Sequence, residues 1–257
     1  MAKQTVLFKD LGENQSYQEI WDLQESLLQQ NVQLKSVTRE LIAGQKSSAD
    51  FINDAFSTNR GAELPIQPST INHLLFVEHS PVYTLGKSGD ISHVLISEED
   101  RLQKGIDFFK INRGGDITFH GPAQLVGYPI IDLERFKTDL GWYLRSLEEV
   151  IILTMAEYGL KGERSKGETG VWLEPEIKGR ERKICAMGIR CSRWITMHGF
   201  AFNVNTNLDY FTYIVPCGIQ NKQVTSLAKE LGYTVPMEEV KEKVKKNFEK
   251  VFEVEIV

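Results

Sequence analysis

Three strand-length segments between residues 171 and 203 constrain this chain more than any other feature. Residues 171–174 and 183–191 flank a charged loop that contains Pro175 and Gly179, the pattern of a hairpin with a solvated tip, and residues 196–203 follow as another strand. Apolar material elsewhere is spaced for covering such a sheet. Ser16 to Glu19 has the form of a capping box, and Ile20, Trp21, Leu23, Leu27 and Leu28 recur behind it at helical period. Residues 138–158 carry Leu140, Leu144, Leu147, Ile151, Met155 and Tyr158 at the same spacing, with Gly159 placed to stop the helix. A third helix is expected from Met237, displaying Val240, Val244, Phe248 and Val251, before a short terminal strand over 252–257. Leu74 to Val77 reads as a buried strand and Val82 to Leu85 continues extended to Gly86, with Glu78 and His79 as loop anchors between them. The expectation is an α/β (α+β) fold, one domain over residues 1–257 with a mixed sheet flanked by helices. Between 36 and 72, Gly61, Pro65, Pro68 and many polar residues interrupt any pattern, so this stretch is expected to be a peripheral insertion.

The 257 residues, 41% of them hydrophobic, are enough for a substantial core. A formal net charge of -5 argues against general affinity for nucleic acid or an anionic membrane. No run of 18 apolar residues occurs, no secretory signal is apparent, and three cysteines are an odd number for a disulfide framework. Free thiols and a cytoplasmic location are therefore expected. His73, His79, His93, His120, His198 and the cysteines show no metal-ligand spacing, so no metal is expected. Charge is uneven: residues 161–193 hold nine basic and five acidic side chains, an excess that could receive an acidic partner or belong to a solvated loop.

Two residues carry the chemistry. Cys217 lies between Pro216 and Gly218, where the backbone turns and a thiol can be presented to a substrate. A free thiol titrates near 8.5, so thiolate at neutral pH needs a neighbouring cation, and Lys183 at the head of K-I-C-A-M-G-I-R is the candidate. Together they read as a Cys/Lys acyl-transfer site. Strict alternation along this strand would place Cys185 on the side of Lys183, about 7 Å along, as a rival thiol. Its apolar neighbours favour a buried, inert role. Arg113, Gly114, Gly115 and Asp116 form a second constellation, two glycines for a tight turn or close approach beside an arginine that can anchor an anion.

With R-G-G-D-I-T-F-H-G-P at residues 113–122, the chain resembles the lipoyl(octanoyl) transferase family of the biotin/lipoyl protein ligase fold superfamily. The resemblance also rests on D-L-G from Asp10, E-H-S-P-V-Y-T-L-G from Glu78, T-G-V-W from Thr169, the Lys183 strand, H-G-F-A-F-N from His198, and P-C-G-I with the later V-T-S-L from Val224. Ala123 stands where the family usually has the second glycine of H-G-P-G-Q, and the 36–72 stretch is longer than the family's link. The resemblance implies transfer of an octanoyl group from octanoyl acyl carrier protein to a lysine of lipoyl domains, those of 2-oxoacid dehydrogenases or the glycine cleavage H protein. It implies Cys217 as nucleophile, Lys183 as its partner, and no cofactor. It carries over as substrate contacts Arg113, Gly114, Gly115, Asp116, Ile117, Thr118, Phe119 and His120, then Ala186, Met187 and Gly188, then Gly199, Phe200 and Ala201. Gly188 and Gly199 read as places where backbone passes close to an acyl chain. An ATP-dependent lipoate or biotin ligase and a non-catalytic acyl-carrier-binding protein of the same fold stay open as alternatives.

Overall fold

Burial with period two decides the layering. The computed structural model describes residues 3–42, 69–215 and 223–257. In chain order the strands are β1 (Gln4–Asp10), β2 (Asn72–Val77), β3 (Val82–Leu85), β4 (Asp107–Lys110), β5 (Ile117–His120), β6 (Gln124–Ile130), β7 (Val171–Leu173), β8 (Arg182–Ser192), β9 (Ile195–Asn203), β10 (Gln223–Val224) and β11 (Val254–Ile256). The helices are α1 (Tyr17–Ile42), α2 (Glu98–Gln103), α3 (Leu140–Ala156), α4 (Leu227–Leu231) and α5 (Met237–Phe252). A mixed sheet runs β10-β8-β9-β6-β2-β1-β11, with β7 paired to β8, and a smaller sheet runs β4-β3-β5. The expected mixed sheet with flanking helices is present. Leu74 and Phe76 of β2 join Leu147, Ile151, Val244 and Phe248 of α3 and α5 on one face. Leu75 and Val77 join Ile20 and Leu28 of α1 on the other. Alternation thus buries both faces of the sheet.

Helix ends follow local chemistry. Asp139 caps α3 by accepting from the Trp142 N–H at 2.9 Å, so the helix starts two residues later than its apolar spacing predicts. Gly159, at a φ of +74°, lies just past its end. Helix α5 continues through Phe252, which the sequence reading assigned to the terminal strand.

The main correction concerns α1, which continues to Ile42 and takes the first seven residues of the supposed 36–72 insertion. Tertiary contacts hold this polar turn. Buried Lys35 meets Asp132 at 2.8 Å and Glu134 at 2.9 Å, and Arg39 reaches Glu134 at 3.2 Å. Asn31 bonds both the N–H and the carbonyl of Ile71, each at 2.8 Å, clamping the approach to β2. Of the rest of that expectation, residues 69–71 lead to β2, which Asn72 opens, and residues 43–68 lie outside the described residues.

Ion pairs also revise the basic stretch. Arg164 pairs with Glu148 and Glu149, Arg182 with Glu230, and Arg190 with Glu25. These four carboxylates lie outside 161–193 and offset part of its local excess of basic charge, Glu148 being shared with Arg145. No described helix is long and apolar enough to cross a membrane.

Candidate active site

A bulge in the β7–β8 hairpin decides where Lys183 points. Val171 is opposite Cys185 but Trp172 is opposite Lys183, so β8 carries one extra residue at Ile184. Alternation is reset there. Ile184 and Cys185 both enter the core under α3, while Lys183 joins Ala186 and Gly188 on the opposite side, lining a cleft. The strict alternation that placed Cys185 beside Lys183 as a rival therefore fails. Cys185 is fully buried, and burial pushes its thiol far above the ordinary range. Cys191 is half-buried and its thiol is likewise raised by burial.

The cleft spans about 510 Å³ with its open mouth included. Its floor comes from β6, β8 and β9 through Val126, Ala186, Met187, Phe200 and Ala201. Register explains the smooth floor, for Ala186 faces Ala201 and Gly188 faces Gly199 across the ladder. The two glycines serve the protein's own packing. A Cβ on Gly188 would stand 2.7 Å from the Gly114 carbonyl oxygen, and one on Gly199 would strike the backbone of Gly127 and lie 2.7 Å from Pro129 Cδ. Both also line the cleft, so the missing side chains leave room there as well as for the loop and the neighbouring strand.

Residues 113–120 form the wall. The buried Arg113 donates from Nη2 to the Thr84 carbonyl at 2.7 Å and to Thr84 Oγ1 at 2.9 Å, and from Nη1 to the Gly114 carbonyl at 3.1 Å, stitching the loop to β3. The Gly114 N–H donates to the Ile189 carbonyl at 3.0 Å, which fastens the loop to β8. Gly115 has a φ of +89°, a conformation glycine adopts without cost. Asp116 accepts from the Ile117 N–H at 2.7 Å and meets His93 Nδ1 at 2.5 Å. Arg113, Gly115, Asp116, Ile117, Thr118 and His120 line the cleft. Phe119 does not. Alternation along β5 sends its ring into the core of the smaller sheet, stacked on Tyr210 at 4.5 Å between centroids, which corrects its expected substrate contact. Gly114 lines a second, more open cleft of about 900 Å³ with Ser88, Leu144, Glu168 and Thr169. Lys183, Met187 and Gly188 line both clefts, so the lysine stands where they meet.

Sequence reasoning missed four lining residues, Tyr17, Val126, Tyr128 and His198. The first three carried no local signal, since β6 and the approach of α1 arise only on folding. His198 stood in a quoted motif. Its φ of +58° is rare for a bulky side chain, and its N–H leaves the ladder direction to donate to Gln24 Oε1 of α1 at 2.9 Å. Burial keeps three imidazoles neutral. It lowers His79 to about 4 and, aided by Arg113 and Arg190, His198 to about 3. His120 is held well below its usual value by burial first and then by His79 and Arg113. His120 Nδ1 lies 3.0 Å from Gln124 Oε1, so that nitrogen is assigned the proton. His79 bonds Tyr128 through Nε2 at 2.8 Å, and Glu78 accepts from the Ala123 N–H at 2.8 Å, matching their expected roles as loop anchors. Among the described residues neither ring nitrogen of His198 has a hydrogen-bond partner, and both are buried.

Cys217 lies outside the described residues. The chain on either side of it is placed: the Val215 N–H donates to the His93 carbonyl at 2.8 Å, and β10 pairs with β8, Val224 opposite Lys183. An apolar slot that ends at a lysine, walled by neutral imidazoles, suits the burial of an alkyl chain whose polar end reacts beside the ammonium. No group of three or more potential metal ligands gathers among the described residues.

Comparison with known proteins narrows this chemistry. A sequence model described as the lipoyl protein ligase A/B catalytic domain matches residues 53–249. An octanoyltransferase of Christiangramia forsetii is 53% identical over 241 residues, covering 93% of each chain. An octanoyltransferase of Flavobacterium johnsoniae is 53% identical over 253 residues, covering 98% of each. Among solved structures, the bipartite lipoate protein ligase of Thermoplasma acidophilum superposes with a TM-score of 0.62 at 14% identity, covering 100% of this chain and 86% of that one. At that identity the likeness concerns the fold.

Proposed function

This chain belongs to the lipoyl protein ligase A/B catalytic-domain family, among its octanoyltransferases, and we propose that it acts through a Cys217 acyl-thioester, taking octanoyl from acyl carrier protein and passing it to a lipoyl-domain lysine. The acceptor would be a lipoyl domain of a 2-oxoacid dehydrogenase or the glycine cleavage H protein. The observation that carries the proposal is the position of Lys183, at the meeting of an apolar cleft and an open one, with the strand that leaves the Cys217 segment paired beside it.

In the first half-reaction the Cys217 thiolate attacks the thioester carbonyl of the carrier's pantetheine arm, and the pantetheine sulfur departs as a thiol with the proton of the Lys183 ammonium, leaving Lys183 neutral as the enzyme thioester forms. One thioester replaces another, so the step needs no nucleotide. The Lys183 ammonium stabilises the attacking thiolate. In the second, the acceptor amine attacks the enzyme thioester, an amide forms, and the Cys217 sulfur leaves. The acceptor ammonium must first lose a proton, for which neutral Lys183 serves as base. Burial of the acyl chain contributes about 0.8 kcal/mol per methylene, roughly 5 kcal/mol in total. Arg113, Gly114, Gly115, Asp116, Ile117, Thr118 and His120 would shape and wall the acyl site, and Ala186, Met187, Gly188, Gly199, Phe200 and Ala201 would form its floor.

Incubation with octanoyl carrier protein in the absence of ATP tests this reading. Intact mass should show one octanoyl adduct, peptide mapping should put it on Cys217, and added lipoyl domain should discharge it. An adduct on Cys185 or Cys191, or a requirement for ATP, overturns the proposal.

A further inference from the structure

We propose that Trp172 is a positioning residue for Lys183, its indole face holding the lysine ammonium where the two clefts meet. The inference rests on the reading of Lys183 as the partner of Cys217. Lys183 Nζ stands 4.6 Å from the centroid of the Trp172 ring, inside the ~6 Å range over which the negative face of an indole attracts a cation. Trp172 is 1% exposed, so its ring is fixed within the protein, while Lys183 is half-buried at the clefts.

The pairing is a product of the bulge. In a regular ladder Trp172 would oppose Ile184 and Lys183 would share the core-facing side of Cys185. The extra residue in β8 brings Lys183 opposite Trp172 and onto the cleft in one move. The backbone that carries the ring is held from several directions. Trp172 and Glu163 exchange both backbone hydrogen bonds, at 2.8 and 2.9 Å, and the Gly170 N–H donates to Glu148 Oε1 at 3.0 Å. Glu148 is fully buried on α3 and also bonded by Arg145 and Arg164. Gly170, at a φ of +111°, packs its α-carbon against the Cys185 carbonyl, where a side chain would collide. A short strand this firmly anchored fixes where the indole sits, and the indole fixes where the lysine's charge stands. That position sets how strongly the ammonium stabilises the Cys217 thiolate.

Tryptophans carrying one to four ring fluorines, placed at position 172 alone, test the idea because fluorine withdraws charge from the ring face with little change of shape. The readout is alkylation of Cys217 by iodoacetamide against pH, mapped by mass. The apparent thiol pKa should climb stepwise with fluorine number, with the alkylation rate at pH 7 falling on the order of 5-fold across the series. The urea midpoint should stay constant. Trp172→Phe should fall within the series and Trp172→Leu at its extreme. A profile that does not move with fluorination makes Trp172 a packing residue and overturns the inference. Lys183→Ala, measured in parallel, separates this from failure of the underlying reading. If that variant shifts the profile and fluorination does not, only the role of Trp172 falls. If Lys183→Ala leaves the profile unchanged, the proposed partnership of Lys183 and Cys217 falls with it.

Discussion

Ala123 occupies a backbone conformation that glycine tolerates better. Its φ is +60°, and both of its backbone groups are engaged: the N–H with Glu78 Oε2 at 2.8 Å, the carbonyl with the Asn205 N–H at 3.0 Å and Thr206 Oγ1 at 3.1 Å. Those bonds hold the turn in the left-handed region although a Cβ disfavours it there by roughly 1–2 kcal/mol. Glycine removes that cost but loses about 0.5–1 kcal/mol through greater freedom of the unfolded chain. Ala123→Gly should therefore stabilise the protein by about 0.5–1 kcal/mol, seen as a higher urea midpoint with an unchanged slope. A lower midpoint would mean that the turn is not strained by Ala123. The departure from H-G-P-G-Q was visible in the sequence; that it sits at a positive φ was not, because the angle is imposed by bonds to Glu78 and residues 205 and 206.

Strand β8 shows how an element carries the site. Its apolar run was legible as a strand, and its pairing with β7 followed from the charged loop between them. The bulge was not legible, since no glycine or proline marks Ile184 and only the register against Trp172 reveals it. A one-residue shift exchanges the faces of a strand, so Lys183 and Cys185 were wrongly assigned to one side. Phe119 is placed by a different feature: the second half of its motif is strand β5, and its ring joins the core of the smaller sheet. The contact between β8 and the 113–116 loop yields a prediction. In Gly188→Ala the new methyl stands 2.7 Å from the Gly114 carbonyl and 3.1 Å from Arg113 Cδ, so the loop must move. Displacing a wall of the site by about 1 Å can reduce turnover on the order of 100-fold. Octanoyl transfer by this variant should fall steeply while far-ultraviolet circular dichroism stays native. Full activity would show that the loop's approach to β8 is dispensable.

For the whole molecule, burial of His79, His120 and His198 between the sheet, α1 and the smaller sheet couples folding to pH. All three have folded-state values below the ordinary 6.5, because burial disfavours the imidazolium. Unfolded chains bind protons as pH falls through 6.5, while the native state does not until about 4 for His79 and about 3 for His198. Stability contributed by the neutral rings is thus present above 6.5 and lost as pH falls. Between pH 7 and 5 the loss should reach up to about 2 kcal/mol per histidine. Glu78, whose carboxyl is raised by burial, opposes this trend at the acid end. Urea titrations at pH 7, 6 and 5 should show a declining midpoint, and a flat profile would mean that these rings open to water.

Local composition and period determined the three long helices, the mixed sheet and the anchors Glu78 and His79, because capping, amphipathic spacing and alternation are properties of short stretches of chain, while most of the residues that line the cleft were legible only through the ordered motifs of the family resemblance. Tertiary structure decided the rest. The last turns of α1 are held by Lys35 and Arg39 on carboxylates some hundred positions away in sequence, and three arginines of the basic stretch pair with acids on three other elements. Tyr17, Tyr128 and His198 meet at one cleft only because α1 lies across β6 and β9. The direction of Lys183 depends on a register between two strands, and register is a relation between segments that neither segment specifies alone.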